Sequence, residues 1–214
     1  MFIGHLAVGF GAKRVEPRVP LVVWVLAAFG LDVLWPLFLA AGLETVRIDP
    51  GNTAFTPMDF ASYPWSHSLV MSVVWGLLAA ALVNRRWPAA RAGALVGAAV
   101  VSHWVLDFIS HRPDMPLWPG GLRVGLGLWN SVPGTLIVEG AFALIAIVMY
   151  VRAFPARDAI GRWAFVGLLV FVGLAWASGP FSPPPPSVPV VVGMTLALVP
   201  ILAGLTIWIE RHRG

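Results

Sequence analysis

The chain has 214 residues, of which 58% are hydrophobic and 11% are charged, and its mean hydropathy is +0.83. Soluble domains carry about 25% charged residues, so this composition excludes an ordinary soluble fold and predicts a single integral membrane domain over residues 1–214. The net charge of +4 comes mainly from short loops and chain ends, which does not suggest nucleic acid, and the lack of cysteine excludes disulfides and thiolate metal sites.

The first apolar segment, residues 2–12, is too short to cross a membrane, because a spanning helix needs about 20 residues. It is predicted either as an interfacial helix or as a half-length helix buried among the others, and sequence reasoning alone favours the interfacial alternative. His5 lies in this segment. Only the buried alternative would bring that histidine near other polar groups of the membrane domain.

Longer apolar segments follow along the rest of the chain, separated by loops rich in turn residues. Six membrane-spanning helices are predicted, at residues 19–43, 67–83, 89–109, 131–151, 163–178 and 188–209. The fold class is therefore predicted to be all-α, with six transmembrane helices plus the short N-terminal helix. The proline-rich run 179–187 is interpreted as a stiff, extended connector.

The distribution of basic residues predicts the orientation of these helices. Arginine and lysine cluster before the first span, between the second and third, between the fourth and fifth, and after the sixth. Cytoplasmic loops carry an excess of such residues, so the N-terminal and C-terminal flanks are both predicted to be cytoplasmic. The loops 44–66, 110–130 and 179–187 would then face the opposite side of a bacterial inner membrane.

The densest group of polar residues lies at the end of the third predicted span. His103, Asp107 and His111 are spaced four apart, so they share one face of a helix, and Asp114 follows three residues later. Imidazole and carboxylate groups are common ligands for divalent metals, and ionisable residues inside a membrane usually have a function. A histidine–aspartate pair can also serve only to join two helices by hydrogen bonds.

The predicted topology brings further polar residues to the same half of the membrane. Asp32 lies in the middle of the first span, His67 opens the second, and Glu139 lies about two turns into the fourth. Glu139 is interpreted as the partner of a basic residue or as a group that supports a ligand. Arg112 and Arg123, in the loop 110–130, are candidate contacts for a substrate phosphate.

Several short motifs recur in an order that resembles a known family. They are Gly4-His5, Leu31-Asp32, Ser66-His67-Ser68, Ser102-His103 with Asp107, and Pro116-Leu117-Trp118-Pro119. Together they resemble the bacterial family of predicted inner-membrane metal-dependent hydrolases, first described as a domain of unknown function. The resemblance covers residues 1–120, and residues 121–214 add transmembrane helices. The whole chain is similar to integral membrane proteins that share RIDPGNTAFTP, YPWSHSL, HRPDMPL and GLGLWNS.

This resemblance implies a metal site to which the N-terminal segment contributes. The implied ligands are His5, Asp32, His67, His103 and Asp107, with Asp32 and Asp107 also as candidates for the general base. The implied cofactor is a divalent ion, zinc in the first place, with manganese or iron as alternatives. The chain departs from the family pattern at Leu34 and Ser62, where a second acid and a further histidine are usual. The site is thus either reduced to one metal or completed by His111 and Asp114.

Two classes of function remain at this stage. The first is a membrane-embedded hydrolase that acts on a lipid or phosphoester from the outer leaflet, with membrane lipids as its surroundings and an undetermined oligomeric state. The second is a non-enzyme: a small transporter, a proton or metal relay, or a structural protein whose polar cluster packs helices. A relay needs polar groups across the whole membrane, whereas the residues 77–83, 92–100 and 141–148 are nearly all apolar, which favours a one-sided site.

Overall fold

A computed structural model describes residues 1–88 and 90–214, and within them the chain forms nine α-helices and two small antiparallel sheets. The helices are α1 Phe2–Val15, α2 Leu21–Ala28, α3 Gly30–Ala40, α4 Pro64–His67, α5 Leu69–Arg86, α6 Ala90–Ser110, α7 Val132–Ala153, α8 Ala159–Ser178 and α9 Val188–Arg211. The strands are β1 Thr45–Ile48, β2 Met58–Ser62, β3 Met115–Pro116 and β4 Arg123–Val124. Ala89, where the third span was predicted to begin, lies outside the described residues.

The all-α membrane fold is confirmed. In the described part of the chain, α5 to α9 are each long and apolar enough to span a membrane, and the pair α2–α3 makes a sixth candidate if it is counted as one bent span. Large apolar side chains on these helices face outward, among them Leu77, Leu144 and Leu174. Such extensive apolar exposure suits contact with lipid rather than with water.

The prediction of one continuous helix over residues 19–43 is wrong. The helix breaks at Phe29, and α2 and α3 meet there at an angle of 55°. Gly30 follows the break, and Pro36 inside α3 has no N–H to bond to the carbonyl four residues earlier, that of Asp32. Asp32 consequently lies in the first turn of a new helix rather than in the middle of a long one.

The short N-terminal helix α1 is buried inside the bundle, so the half-length alternative describes it and the interfacial one is wrong. It packs against α7, α2 and α6. His5, Leu6 and Phe10 are almost fully buried on it. At its far end, Lys13 Nζ lies 2.6 Å from Glu210 of α9 and donates to the carbonyls of Pro17 and Val19.

The four basic segments of the sequence lie at the same end of the bundle. Lys13 pairs with Glu210 near the C-terminus, the Arg91 side chain contacts the Val15 carbonyl at 3.4 Å, and the Arg157 amide donates to the His212 carbonyl at 3.0 Å. The basic residues of the two chain flanks therefore lie on one side of the bundle. The assignment of that side to the cytoplasm stays a prediction.

Two segments predicted as loops contain short hairpins at the opposite end of the bundle. β1 and β2 pair antiparallel in the loop 44–66, with Arg47 opposite Asp59. β3 and β4 pair in the loop 110–130, with Met115 opposite Val124. Strands of two to five residues leave too short a pattern to be recognised in a sequence rich in turn residues.

Candidate metal centre

Five ionisable side chains from four helices converge at the centre of the bundle. His5 comes from α1, Asp32 from α3, His67 from the end of α4, and His103 and Asp107 from α6. These are the residues that the resemblance indicated. Four of them are almost completely buried, whereas the Asp32 side chain is 35% exposed.

The two carboxylates lie between the three imidazoles. Asp107 Oδ1 is 3.1 Å from His5 Nε2, and Asp107 Oδ2 is 3.1 Å from His103 Nε2 and 3.8 Å from His67 Nε2. Asp32 Oδ1 is 3.6 Å from His67 Nε2 and 3.7 Å from His103 Nε2. Two sets of three residues each place one donor atom apiece within 4.8 Å of the others, and His103 belongs to both sets.

The break between α2 and α3 fixes the orientation of His103. At this break the Ala28 carbonyl accepts a hydrogen bond of 2.8 Å from His103 Nδ1, so the proton of the neutral ring is on Nδ1. His103 Nε2 then presents a lone pair to Asp32 and Asp107 and has no hydrogen-bond partner among the described residues. A buried lone pair opposite two carboxylates is unfavourable unless a proton or a cation lies between them, and this donor set fits a divalent metal in that place.

A hydrogen-bond relay fixes His67 in the same way. The Ser66 hydroxyl donates to Glu44 Oε2 at 2.7 Å, so its oxygen is left to accept from His67 Nδ1, also at 2.7 Å. Glu44 Oε1 accepts from the amides of Trp65 and Ser66, which holds the carboxylate in place. The lone pair of His67 Nε2 consequently points at the carboxylates. Sequence reasoning missed Glu44, which is 22 residues from Ser66 and has no recognisable motif around it.

His5 completes the centre from the N-terminal helix. Its ring stacks on that of His103 with centroids 3.7 Å apart and planes only 4° from parallel. His5 Nδ1 has no hydrogen-bond partner within residues 1–88 and 90–214. The amino group of Met1 also contacts Asp107 Oδ1. Asp107 is thus the residue on which most of the polar contacts of the centre meet.

The additional candidates His111 and Asp114 form a neighbouring pair. His111 Nδ1 donates to Asp114 Oδ1 at 3.0 Å, and the Tyr63 hydroxyl donates to the same oxygen at 2.8 Å. Burial opposes ionisation of Asp114, but the hydrogen bonds from His111, Tyr63 and Arg112 outweigh it and hold the pKa of this carboxyl below its usual value. Burial, with the nearby Asp114, raises the pKa of Tyr63. The structure brings this pair next to the centre rather than among its five residues.

The remaining candidates lie around the centre and contact other groups. Glu139 is buried and accepts from the Trp129 indole at 3.4 Å, and the described residues show no arginine paired with it. Arg112 instead pairs with Asp59 and, at 3.3 Å, with Asp114. Arg123 Nη2 donates to the Ala61 carbonyl at 3.0 Å. The interpretation of Glu139 as a group that supports a ligand stays a prediction, because its hydrogen-bond partner is the Trp129 indole.

The centre lies in the wall of a cavity of about 520 Å³. The ionisable side chains that line it are those of His5, Asp32, His67, Asp107 and His111. Residues 55–58 and 60 of the β1–β2 hairpin and residues 182, 183 and 185 of the proline-rich connector also line it, so the cavity lies towards the end of the bundle opposite Lys13. Four of the five residues of the centre therefore line the cavity, whereas His103 is fully buried and does not line it.

The fold and this centre define a multi-pass membrane protein with a buried histidine–aspartate cluster beside a cavity. The chain belongs to the YdjM inner membrane protein family, whose sequence profile matches residues 3–181. The predicted inner-membrane family and multi-pass inner-membrane location are thereby confirmed. The match includes all five residues of the centre and continues through α8, beyond the residues 1–120 that carry the motifs. No curated protein and no solved structure matched the chain.

Proposed function

We propose that this protein is a membrane-embedded, metal-dependent hydrolase. The observation that carries the proposal is the arrangement of His67 and His103, whose Nδ1 atoms are occupied by hydrogen bonds while their Nε2 lone pairs converge on two carboxylates. Three imidazoles and two carboxylates without thiolates suit zinc first, with manganese or iron as alternatives. A divalent ion at this place supplies Lewis-acid polarisation of a phosphoryl oxygen and a nucleophile from water near neutral pH.

The two aspartates occupy different environments, which suggests different roles. Asp107 is 2% exposed and contacts His5, His67 and His103, so we assign it as a ligand that organises the others. Asp32 is more exposed and lines the cavity, where it is placed to accept a proton from a water molecule on the substrate side. Asp32 thus combines the roles of ligand and general base.

The position of the cavity supports a substrate that arrives from the side of the hairpins, the side predicted to be the outer leaflet. A phosphoester or a lipid fits the chemistry of the centre and its place in the membrane. Arg112 and Arg123 lie on that side, and they would have to exchange their present partners, Asp59 and the Ala61 carbonyl, for a substrate phosphate.

A transporter or a proton relay is less well supported. Between the centre and the Lys13 end of the bundle, α1 and α2 pack Leu6, Phe10 and Val25 into one apolar cluster. A relay would need polar side chains along that path.

The proposal is tested by metal dependence of hydrolysis. Detergent-purified protein is stripped with a chelator, reloaded with zinc, manganese or iron, and assayed on soluble and lipid phosphoesters. We expect hydrolysis to disappear on stripping and to return on reloading. Protein that binds metal but hydrolyses none of these substrates would support metal binding alone and contradict the hydrolase assignment.

The Glu44 relay yields a separate prediction about metal affinity. In Glu44→Gln, the amide NH₂ would donate where the carboxylate now accepts, which turns the Ser66 proton towards His67 Nδ1 and removes the lone pair from His67 Nε2. We expect metal affinity to fall roughly 10- to 100-fold, the usual cost of losing a group that orients a ligand. A competition titration against a chelator measures the affinity.

Glu16→Gln is the matched control, because Glu16 pairs with Arg18 at the opposite end of the bundle. The control should leave metal affinity unchanged. Because Glu44 acts through Ser66, the double variant Ser66→Ala/Glu44→Gln should bind metal no more weakly than the weaker-binding of the two single variants. Equal affinity in Glu44→Gln and the wild type would show that the relay does not act on the centre.

A further inference from the structure

The cavity continues far beyond the polar centre, along a wall that is almost entirely apolar. Trp176 of α8 and Met194, Leu198 and Leu202 of α9 form this wall, and Phe29 faces it from the break between α2 and α3. From Met194 to Leu202 the wall runs about 12 Å along α9, at 1.5 Å per residue. One compartment therefore has ionisable groups at one end and mainly apolar side chains, with Thr195 and the Trp176 indole among them, along α8 and α9.

The compartment has an open edge and a closed end. Leu26 and Met194, which line it, are 37% and 68% exposed, whereas Leu202 is 6% exposed. Leu26 and Met194 belong to helices assigned to the membrane, so the open edge faces lipid rather than water. A molecule can enter by this edge and lie with its apolar part along α9.

We propose that this compartment binds an acyl chain of a membrane phospholipid whose phosphate lies at the histidine–aspartate centre. The reaction at the phosphate rests on the proposed function; binding of the chain does not. The combination of a polar end, an apolar wall and a lateral opening matches an amphiphile of the surrounding bilayer and does not match a water-soluble phosphoester. α9, which forms much of the wall, lies outside the residues matched by the family profile.

The energetics indicate how the lipid would be held. Moving a chain from the bilayer into the compartment gains little, because lipid tails are as apolar as the helices. The wall therefore acts by shape, and the headgroup adds to the affinity at the centre when a metal is bound there. Filling the wall should then exclude the lipid while the metal centre stays intact.

Leu198→Trp tests the compartment, with Ile201→Trp as the matched control. Ile201 is a 51% exposed residue of the same helix and does not line the cavity. The probe is a phosphatidylglycerol with a photoreactive acyl chain, diluted in phosphatidylcholine vesicles that contain the reconstituted protein. We expect labelling of the α8 and α9 wall to be competed by unlabelled phosphatidylglycerol. It should fall roughly tenfold or more, about 1.4 kcal/mol of binding free energy, in Leu198→Trp but not in Ile201→Trp, because the indole at position 198 occupies the space of the acyl chain.

Equal labelling of the wall in the two folded variants would overturn the proposal. If Leu198→Trp does not fold, the wild type decides alone: competed labels on Leu198 and Leu202 support the compartment, and equal labelling of these residues and Ile201 refutes it. Metal content, measured on the same samples, separates this inference from the proposed function. Competed labelling without bound metal would sustain the lipid compartment and contradict the hydrolase.

Discussion

Replacing His103 with alanine is expected to release the divalent metal from the purified protein. His103 belongs to both sets of potential ligands. Its Nε2 faces Asp32 and Asp107 and has no hydrogen-bond partner among the described residues. Loss of a group that merely orients a ligand costs roughly 10- to 100-fold in affinity, so loss of the shared ligand should cost more than about 100-fold. Near-stoichiometric metal in the wild type should therefore become undetectable in His103→Ala.

Mass spectrometry of metal content in detergent-purified protein measures this effect. His212→Ala is the control, because His212 lies in the C-terminal tail, where its Nδ1 is 2.6 Å from Asp158 at the far end of the bundle. The control should retain the metal. If neither the wild type nor His212→Ala binds metal after metal is added back, the hydrolase proposal fails, and the cluster serves to join helices by hydrogen bonds.

The part of the centre that lies on one helix could be predicted from residue spacing alone. His103 and Asp107 are four residues apart, and α6 places both on the face that meets the other polar residues, as helical periodicity requires. Asp32 and His67 could be placed near them from the predicted topology. His5 could not, because a short apolar segment is compatible with the membrane surface, and only the resemblance to a known family moved it into the centre.

The remaining features depend on contacts between distant parts of the chain. The break at Phe29 exposes the Ala28 carbonyl that orients His103, 75 residues away. Glu44 reaches His67 only through Ser66, after the β1–β2 hairpin has returned the chain to the bundle. Neither contact has a local pattern in sequence, since each requires the packed helices to exist first. The scaffold of such a centre can be predicted, whereas the groups that fix its tautomers require the structure.

Asp32→Asn and Asp107→Asn are expected to fail in different ways. Asp107 contacts three imidazoles in a buried position, so its loss should remove the metal together with activity. Asp32 faces the cavity, and an amide there keeps an oxygen donor but does not accept a proton near neutral pH. We expect Asp32→Asn to keep the metal within roughly tenfold of the wild-type affinity while hydrolysis falls about 10²- to 10⁴-fold, the usual contribution of a general base.

Metal content and turnover measured on the same preparations separate the two roles. Asp49→Asn, in the loop before the β1–β2 turn, is the control and should change neither quantity, because Asp49 is not among the residues that line the cavity. Loss of metal in Asp32→Asn equal to that in Asp107→Asn would make Asp32 purely a ligand and move the general base elsewhere. His111 would then be the first residue to examine, because it lines the same cavity and its Nδ1 is held by Asp114. Full turnover in Asp32→Asn would instead exclude this carboxylate from the chemistry, since no other change at the centre compensates for a lost base.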